Sequence, residues 1–90
     1  MKQAYLEVTY RSGKPLAAYY YLAGKPGQRS HHTRCVAPGL VVDFARDDVA
    51  LGIEITSPRT VTLAAINRVL RELGWPPLKR GELEPLRKAS

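Results

Sequence analysis

The sequence predicts an α+β fold: an antiparallel β-meander of four or five strands with a C-terminal amphipathic helix packed on one face. Three observations predict it. Residues 3–55 run in short alternating segments separated by Gly- and Pro-bearing turns, the pattern of half-buried strands. The alternation stops at Ser57-Pro58, and a helical period takes over from Leu63 to Leu73. The chain has 90 residues, the size of one small domain, read as a sheet unit over 1–57 and a helical C-terminal extension over 58–90. Folding a chain of this size hides roughly 60–65% of its unfolded surface, so the core is modest and oligomerisation would help it.

The first strand is QAYLEVTY, residues 3–10, with Ala4, Leu6, Val8 and Tyr10 on one face and Glu7 and Thr9 on the other. Arg11-Ser12-Gly13-Lys14 is a turn. The second strand, Pro15 to Ala23, is apolar on both faces: Leu16, Ala18, Tyr20 and Leu22 against Ala17, Tyr19, Tyr21 and Ala23. Such a strand is usually central and covered twice. The helix supplies one cover, and a second subunit would supply the other, so a homodimer is expected. Gly24-Lys25-Pro26-Gly27 is a strong turn signal. Gln28 to Val36 follows as a polar, basic third strand suited to an exposed position, where charge discourages edge-to-edge association.

The fourth and fifth strands form a hairpin, PGLVVDFARDDVALGIEI, over Pro38–Ile55. With Asp47-Asp48 at the tip, Phe44 faces Leu51, Val42 faces Ile53 and Leu40 faces Ile55. All six are apolar, whereas a one-residue slip would bury Asp43 or Glu54. Beyond the sheet, Thr62 is the expected N-cap of the helix, and Leu63, Ile66, Val69, Leu70 and Leu73 form its apolar stripe. Gly74 suits the C′ position, Pro76-Pro77 stops the helix, and Trp75 is placed to fold back on its end. A short second helix is expected to start near Gly81 and to carry Leu83 and Leu86, with loose terminal residues after it.

Pro38, Gly39, Leu40, Val41, Val42, Asp43 and Phe44, followed by Gly52, Ile53, Glu54 and Ile55, carry a family likeness. Together with the Tyr-rich run Ala17–Leu22, they resemble the signature of a small bacterial family, domain of unknown function 2283. The resemblance spans residues 5–57 and implies the β-sheet unit. Its motifs are fold motifs, and it implies no activity. Leu16 stands where that family usually has an Asp before the Tyr-rich strand, so nothing that Asp does carries over.

One cysteine, Cys35, allows no intrachain disulfide and fits a reducing cytoplasm. No leader-like segment and no run near the ~20 apolar residues of a membrane span is present, so a soluble, cytoplasmic protein with no membrane partner is expected. The net charge is +6 and is unevenly spread. Residues 1–35 carry six basic and one acidic side chains, residues 36–58 one and four, and residues 59–90 seven and three. An acidic hairpin between basic flanks suits contact with phosphate or with another protein.

His31, His32 and Cys35 invite a metal reading, which strand geometry opposes. The two histidines point to opposite faces, and His31 and Cys35 lie about 13 Å apart along an extended strand. Cys35 is expected to be quiet and half-buried. No metal and no cofactor is implied. Asp43 and Glu54 are the carboxylates that a credible register brings together, diagonally at roughly 7–8 Å. Paired acid–base groups share such a spacing, but an open sheet face supplies no pKa tuning. They are candidate partner contacts, and no catalytic residue is assigned. Tyr19, Tyr20 and Tyr21 could stack on bases if exposed, although a Tyr-rich strand is more often core and interface. Arg29 and Arg34 of the third strand and Arg68, Arg71, Lys79 and Arg80 of the tail are candidate nucleic-acid contacts. No helix-turn-helix, nucleophile elbow, phosphate loop or dinucleotide fingerprint is present.

The function expected is therefore a non-enzymatic protein-interaction module, antitoxin-like or accessory to another small bacterial protein. The alternative is a nucleic-acid-binding module using the basic strand and tail. An enzyme would rest on Asp43 and Glu54 alone.

Overall fold

The computed structural model describes residues 4–22 and 29–86. Its elements are β1 (Tyr5–Arg11), β2 (Lys14–Tyr21), β3 (His32–Ala37), β4 (Leu40–Phe44), β5 (Ala50–Ile55), α1 (Leu63–Glu72) and a 3₁₀ segment (Arg80–Leu86). The fold is α+β, with an antiparallel five-stranded sheet and a short helix.

The strand order, β1-β2-β5-β4-β3, corrects the expected meander. β3, β4 and β5 do form a meander, but β2 pairs with β5 rather than with β3. The reason is apolar matching. Ala18 and Tyr20 of β2 pair with Ile55 and Ile53, which extends one continuous buried face. The polar β3 is left at a sheet edge, the place its composition suits. It starts at His32, later than the sequence suggests, and the turn at 24–27 lies outside the described residues.

Two hairpins show how local chemistry sets register. At Ser12-Gly13 both residues have positive φ, the two-residue turn whose twist matches antiparallel strands. A bulge then places Leu16 as an extra residue between the Thr9–Ala17 and Tyr10–Pro15 pairs. Pro15 is buried and Leu16 is 51% exposed, so the bulge takes Leu16 off the buried face that alternation has it share with Ala18 and Tyr20. In the β4–β5 hairpin, Leu40 faces Ile55 and Val42 faces Ile53 as expected. The tip differs. The Asp48 N–H donates to the Ala45 carbonyl, the Ala45 N–H donates to Val49, and Asp48 has φ +65°. This is a three-residue loop closed by a left-handed residue, the alternative a chain lacking Asn-Gly uses. Phe44 consequently faces Ala50, and the register is restored beyond Leu51.

The core lies between one sheet face and the C-terminal third of the chain. Leu40, Val42, Ile53 and Ile55 from the sheet join Ile66 and Leu70 from α1 with no exposed surface. Leu78, Leu83 and Leu86 belong to the same cluster. Thr62 caps α1, its Oγ1 accepting from the Ala65 N–H. At the other end Trp75 N–H donates to Leu70 and Gly74 N–H to Arg71, with Gly74 at φ +80°. Asn67 then grips the tail: its side-chain amide donates to the Leu78 carbonyl at 3.1 Å and accepts from the Leu78 N–H at 2.7 Å. The expected second helix is a 3₁₀ segment with Pro85 inside it. Glu82 starts it by accepting from the Lys79 N–H, while its own N–H donates to the Lys79 carbonyl. The terminal residues 87–90 lie outside the described residues.

Candidate functional site

Helix and tail gather on one side, so among the described residues the opposite sheet face is formed by strand side chains. The registers align them in two rows across all five strands. One row reads Glu7, Tyr19, Glu54, Val41, Cys35, and the next reads Tyr5, Tyr21, Gly52, Asp43, Thr33.

Tyrosine organises both rows. The Tyr5 and Tyr21 rings stack at 4.6 Å, and Tyr19 meets Tyr21 at 4.5 Å in a tilted contact. Tyr19 leans out of its own row over Gly52, and its hydroxyl donates to Asp43 Oδ2 at 2.7 Å. A Cβ at position 52 would lie 2.1 Å from the Tyr19 ring, so the glycine makes this conformation possible. Tyr21 leans the other way and donates to Glu7 Oε1 at 2.9 Å. Burial pushes the Tyr19 phenol well above its usual range, aided by the hydrogen bond to Asp43 and that carboxylate's charge. The Tyr21 phenol is raised chiefly by its bond to Glu7.

Asp43 and Glu54 take the diagonal arrangement expected of them, with Asp43 opposite Gly52 and Glu54 opposite Val41. The residue that sequence reasoning missed is Tyr19, which pairs with Glu54 across the strands and bonds Asp43 through its hydroxyl. The available signal was an outward Gly52 in a strand able to neighbour a tyrosine-rich one. Tyr20, grouped in the sequence with its two neighbours, is separated from them: it is buried in the core, and its phenol is raised by burial and then by Glu82.

The histidines and cysteine do not converge. His32 stacks on Phe44 at 5.0 Å and lies 3.5 Å from Asp48, while Arg34 sits 5.4 Å from the same ring's centre. His31 meets His32 edge-on at 5.9 Å. Cys35 is exposed rather than half-buried, because β3 is an edge strand and its neighbour Val41 is too small to cover it. Among the described residues no three His, Cys, Asp or Glu side chains come together to hold a metal ion.

The basic candidates occupy other places. Arg34 lies on the edge strand β3, on the core-side face opposite Val42, and Arg29 is exposed just before that strand. Arg68, Arg71, Lys79 and Arg80 are exposed on the helix side. On the tyrosine side the basic pair Arg11 and Lys14 lies at the β1–β2 turn, beyond the two rows. The ten row positions hold three carboxylates and no basic residue. A shallow depression of about 250 Å³ beside Leu63, Arg80, Leu83 and Glu84 sets a carboxylate next to its arginine, a poor arrangement for an anion. No helix among the described residues is long and apolar enough to cross a membrane.

No protein-family model matches this chain, and no curated protein or solved structure matches it either.

Proposed function

We propose that this protein is a protein-interaction module, antitoxin-like or accessory to another small bacterial protein, working through the helix-free face of its sheet. The tyrosine ladder across that face carries the reading. Stacked, half-buried tyrosines combine apolar area with few rotatable bonds, the composition that protein interfaces favour. The resemblance to domain of unknown function 2283 supports the bacterial setting, and the free Cys35 thiol fits a reducing cytoplasm. A homodimer is one form such contact takes. Two-fold pairing with its axis at the centre of the two rows would crowd the carboxylates of Glu7, Asp43 and Glu54 together with those of the second copy, so a different partner is favoured. The module needs no catalytic residue: Tyr19 and Asp43 hold each other on an open surface rather than in a water-excluding cleft.

The test is native mass spectrometry of the untagged protein drawn from its own cells, beside a Val41→Lys variant that alters the centre of the face. A partner of fixed stoichiometry should accompany the parent chain and be lost from the variant. Equal retention by both would remove the face from the interaction.

A second reading has its own observation, the exposed Arg68, Arg71, Lys79 and Arg80 on the helix side. A nucleic-acid module would bind there, with Arg34 on the edge strand and Arg29 before it, and its affinity would fall steeply with salt. Oligonucleotide binding unchanged by Arg68→Glu and Arg71→Glu, or by neutralising Arg29 and Arg34, would remove the corresponding contacts.

A further inference from the structure

The chemistry of the partner can be narrowed further, on the footing of the interaction reading above. Tyr19 leaves its own row to lie over Gly52 and bond Asp43. The ring is thereby displaced along the sheet from the cross-strand position opposite Glu54 toward Gly52. The exposed Glu54 carboxylate then stands between Tyr19 on one strand and Val41 on the other, with Ala17 diagonal to it. The result is a shelf: a carboxylate with small apolar neighbours at the foot of an aromatic ridge. Two features of the ridge suit positive charge. Glu7 and Asp43 stand beside the rings, each accepting from a tyrosine hydroxyl. A phenol donating to a carboxylate also gains electron density in its ring, which strengthens attraction for a cation.

We propose that this face docks an arginine-bearing surface of a partner protein, with one guanidinium on Glu54 and against the tyrosine ridge. Arginine fits better than lysine. Its planar fork bonds both carboxylate oxygens while its plane stacks on aromatic rings, and it sheds water more readily than an ammonium. Like charge disfavours a nucleic acid on the two rows, which hold three carboxylates and no basic residue. The chain's net charge of +6 repels cations at long range, so attraction of one to this surface is local to the carboxylate-bearing rows.

The test titrates the full-length, isotope-labelled protein with three short peptides on one Gly-Ser framework, carrying two arginines, two lysines or neither. Amide signals of Ala17, Tyr19, Tyr21, Val41 and Glu54 should move with the arginine peptide. That peptide should bind several-fold more tightly than the lysine one, and the neutral one should not bind. Glu54→Gln, an exposed and nearly isosteric change, should weaken binding about tenfold, as loss of one charge-assisted pair would. Tyr19→Leu should weaken it too, while unchanged signals of Leu40 and Ile53 certify that both variants are folded. Equal binding by the parent and Glu54→Gln would overturn the proposal, and so would equal affinity for arginine and lysine or shifts confined to the acids of the helix side. A native partner meeting this face with acidic or apolar groups, or a second copy of the chain seated on it, would overturn the arginine seat and leave the interaction reading standing. A partner that avoids the face would remove both.

Discussion

Gly52 acts through what it permits Tyr19 to do. An outward side chain there would stand where the ring now lies, so Gly52→Ala must push the ring aside and break the bond to Asp43. The expected cost is about 1–3 kcal/mol, read as a lower urea midpoint with altered near-ultraviolet tyrosine circular dichroism. Tyr19 also makes stability depend on pH. Its phenol titrates higher when folded than the ordinary value of about 10 of an unfolded chain. The folded state therefore resists losing that proton. Its contribution is complete below about pH 10 and declines as pH rises from there toward the folded value. Urea midpoints measured from pH 8 to 11 should fall, and fall less in Tyr19→Phe, which has no proton to lose. An equal fall in both chains would assign the effect to Tyr20 and Tyr21, whose phenols are also raised. Half of this site was legible in the sequence. Strand alternation placed Asp43 and Glu54 on one face, because period two depends only on the strand's own residues. Tyr19 was not legible as their partner, because its position depends on which strand lies beside β5.

The same division holds for whole elements. α1 was legible to within a residue at each end, since its cap, stripe and closing glycine are all local signals. The β4–β5 register was legible in its depth but not at its tip. Apolar matching fixes Leu40–Ile55 and Val42–Ile53, whereas the loop type turns on the readiness of Asp48 to take a left-handed conformation. The β2–β5 pairing was hidden, because alternation says which side of a strand is buried and nothing about its neighbour. Tail docking was equally hidden: Leu78, Leu83 and Leu86 join the core there, Tyr10 Oη donates to the Pro85 carbonyl, and neither contact has a local signal. Asn67 holds the Leu78 backbone by two hydrogen bonds in a part-buried setting. Asn67→Ala leaves a carbonyl and an N–H without those partners and should cost about 2 kcal/mol. Hydrogen exchange should show the tail amides from Leu78 to Leu86 opening first in that variant while β4 and β5 stay protected. Uniform loss of protection would mean that tail and sheet open together.

At the scale of the molecule, sheet and tail contribute to one core. Leu40, Val42, Ile53 and Ile55, with no exposed surface, lie in one cluster with Ile66, Leu70, Leu78, Leu83 and Leu86 of the C-terminal third. Truncating a single such residue to alanine costs roughly 2–5 kcal/mol, against a typical total of 5–15 for a domain. A fragment of residues 1–57 should therefore fail to fold alone, giving poorly dispersed amide spectra and binding a hydrophobic dye. A well-dispersed spectrum from that fragment would show the sheet to be self-sufficient. Charge is grouped at the same scale: the two tyrosine rows carry Glu7, Asp43 and Glu54, Arg11 and Lys14 pair at the β1–β2 turn beyond them, and Arg68, Arg71, Lys79 and Arg80 stand on the helix side among Glu72, Glu82 and Glu84. Cys35, the chain's one thiol, is exposed at the end of the Glu7–Tyr19–Glu54–Val41 row. A maleimide dye or spin label attached there would sit at the rim of the tyrosine face with no residue changed, and its polarity or mobility would report in real time whether that face is occupied.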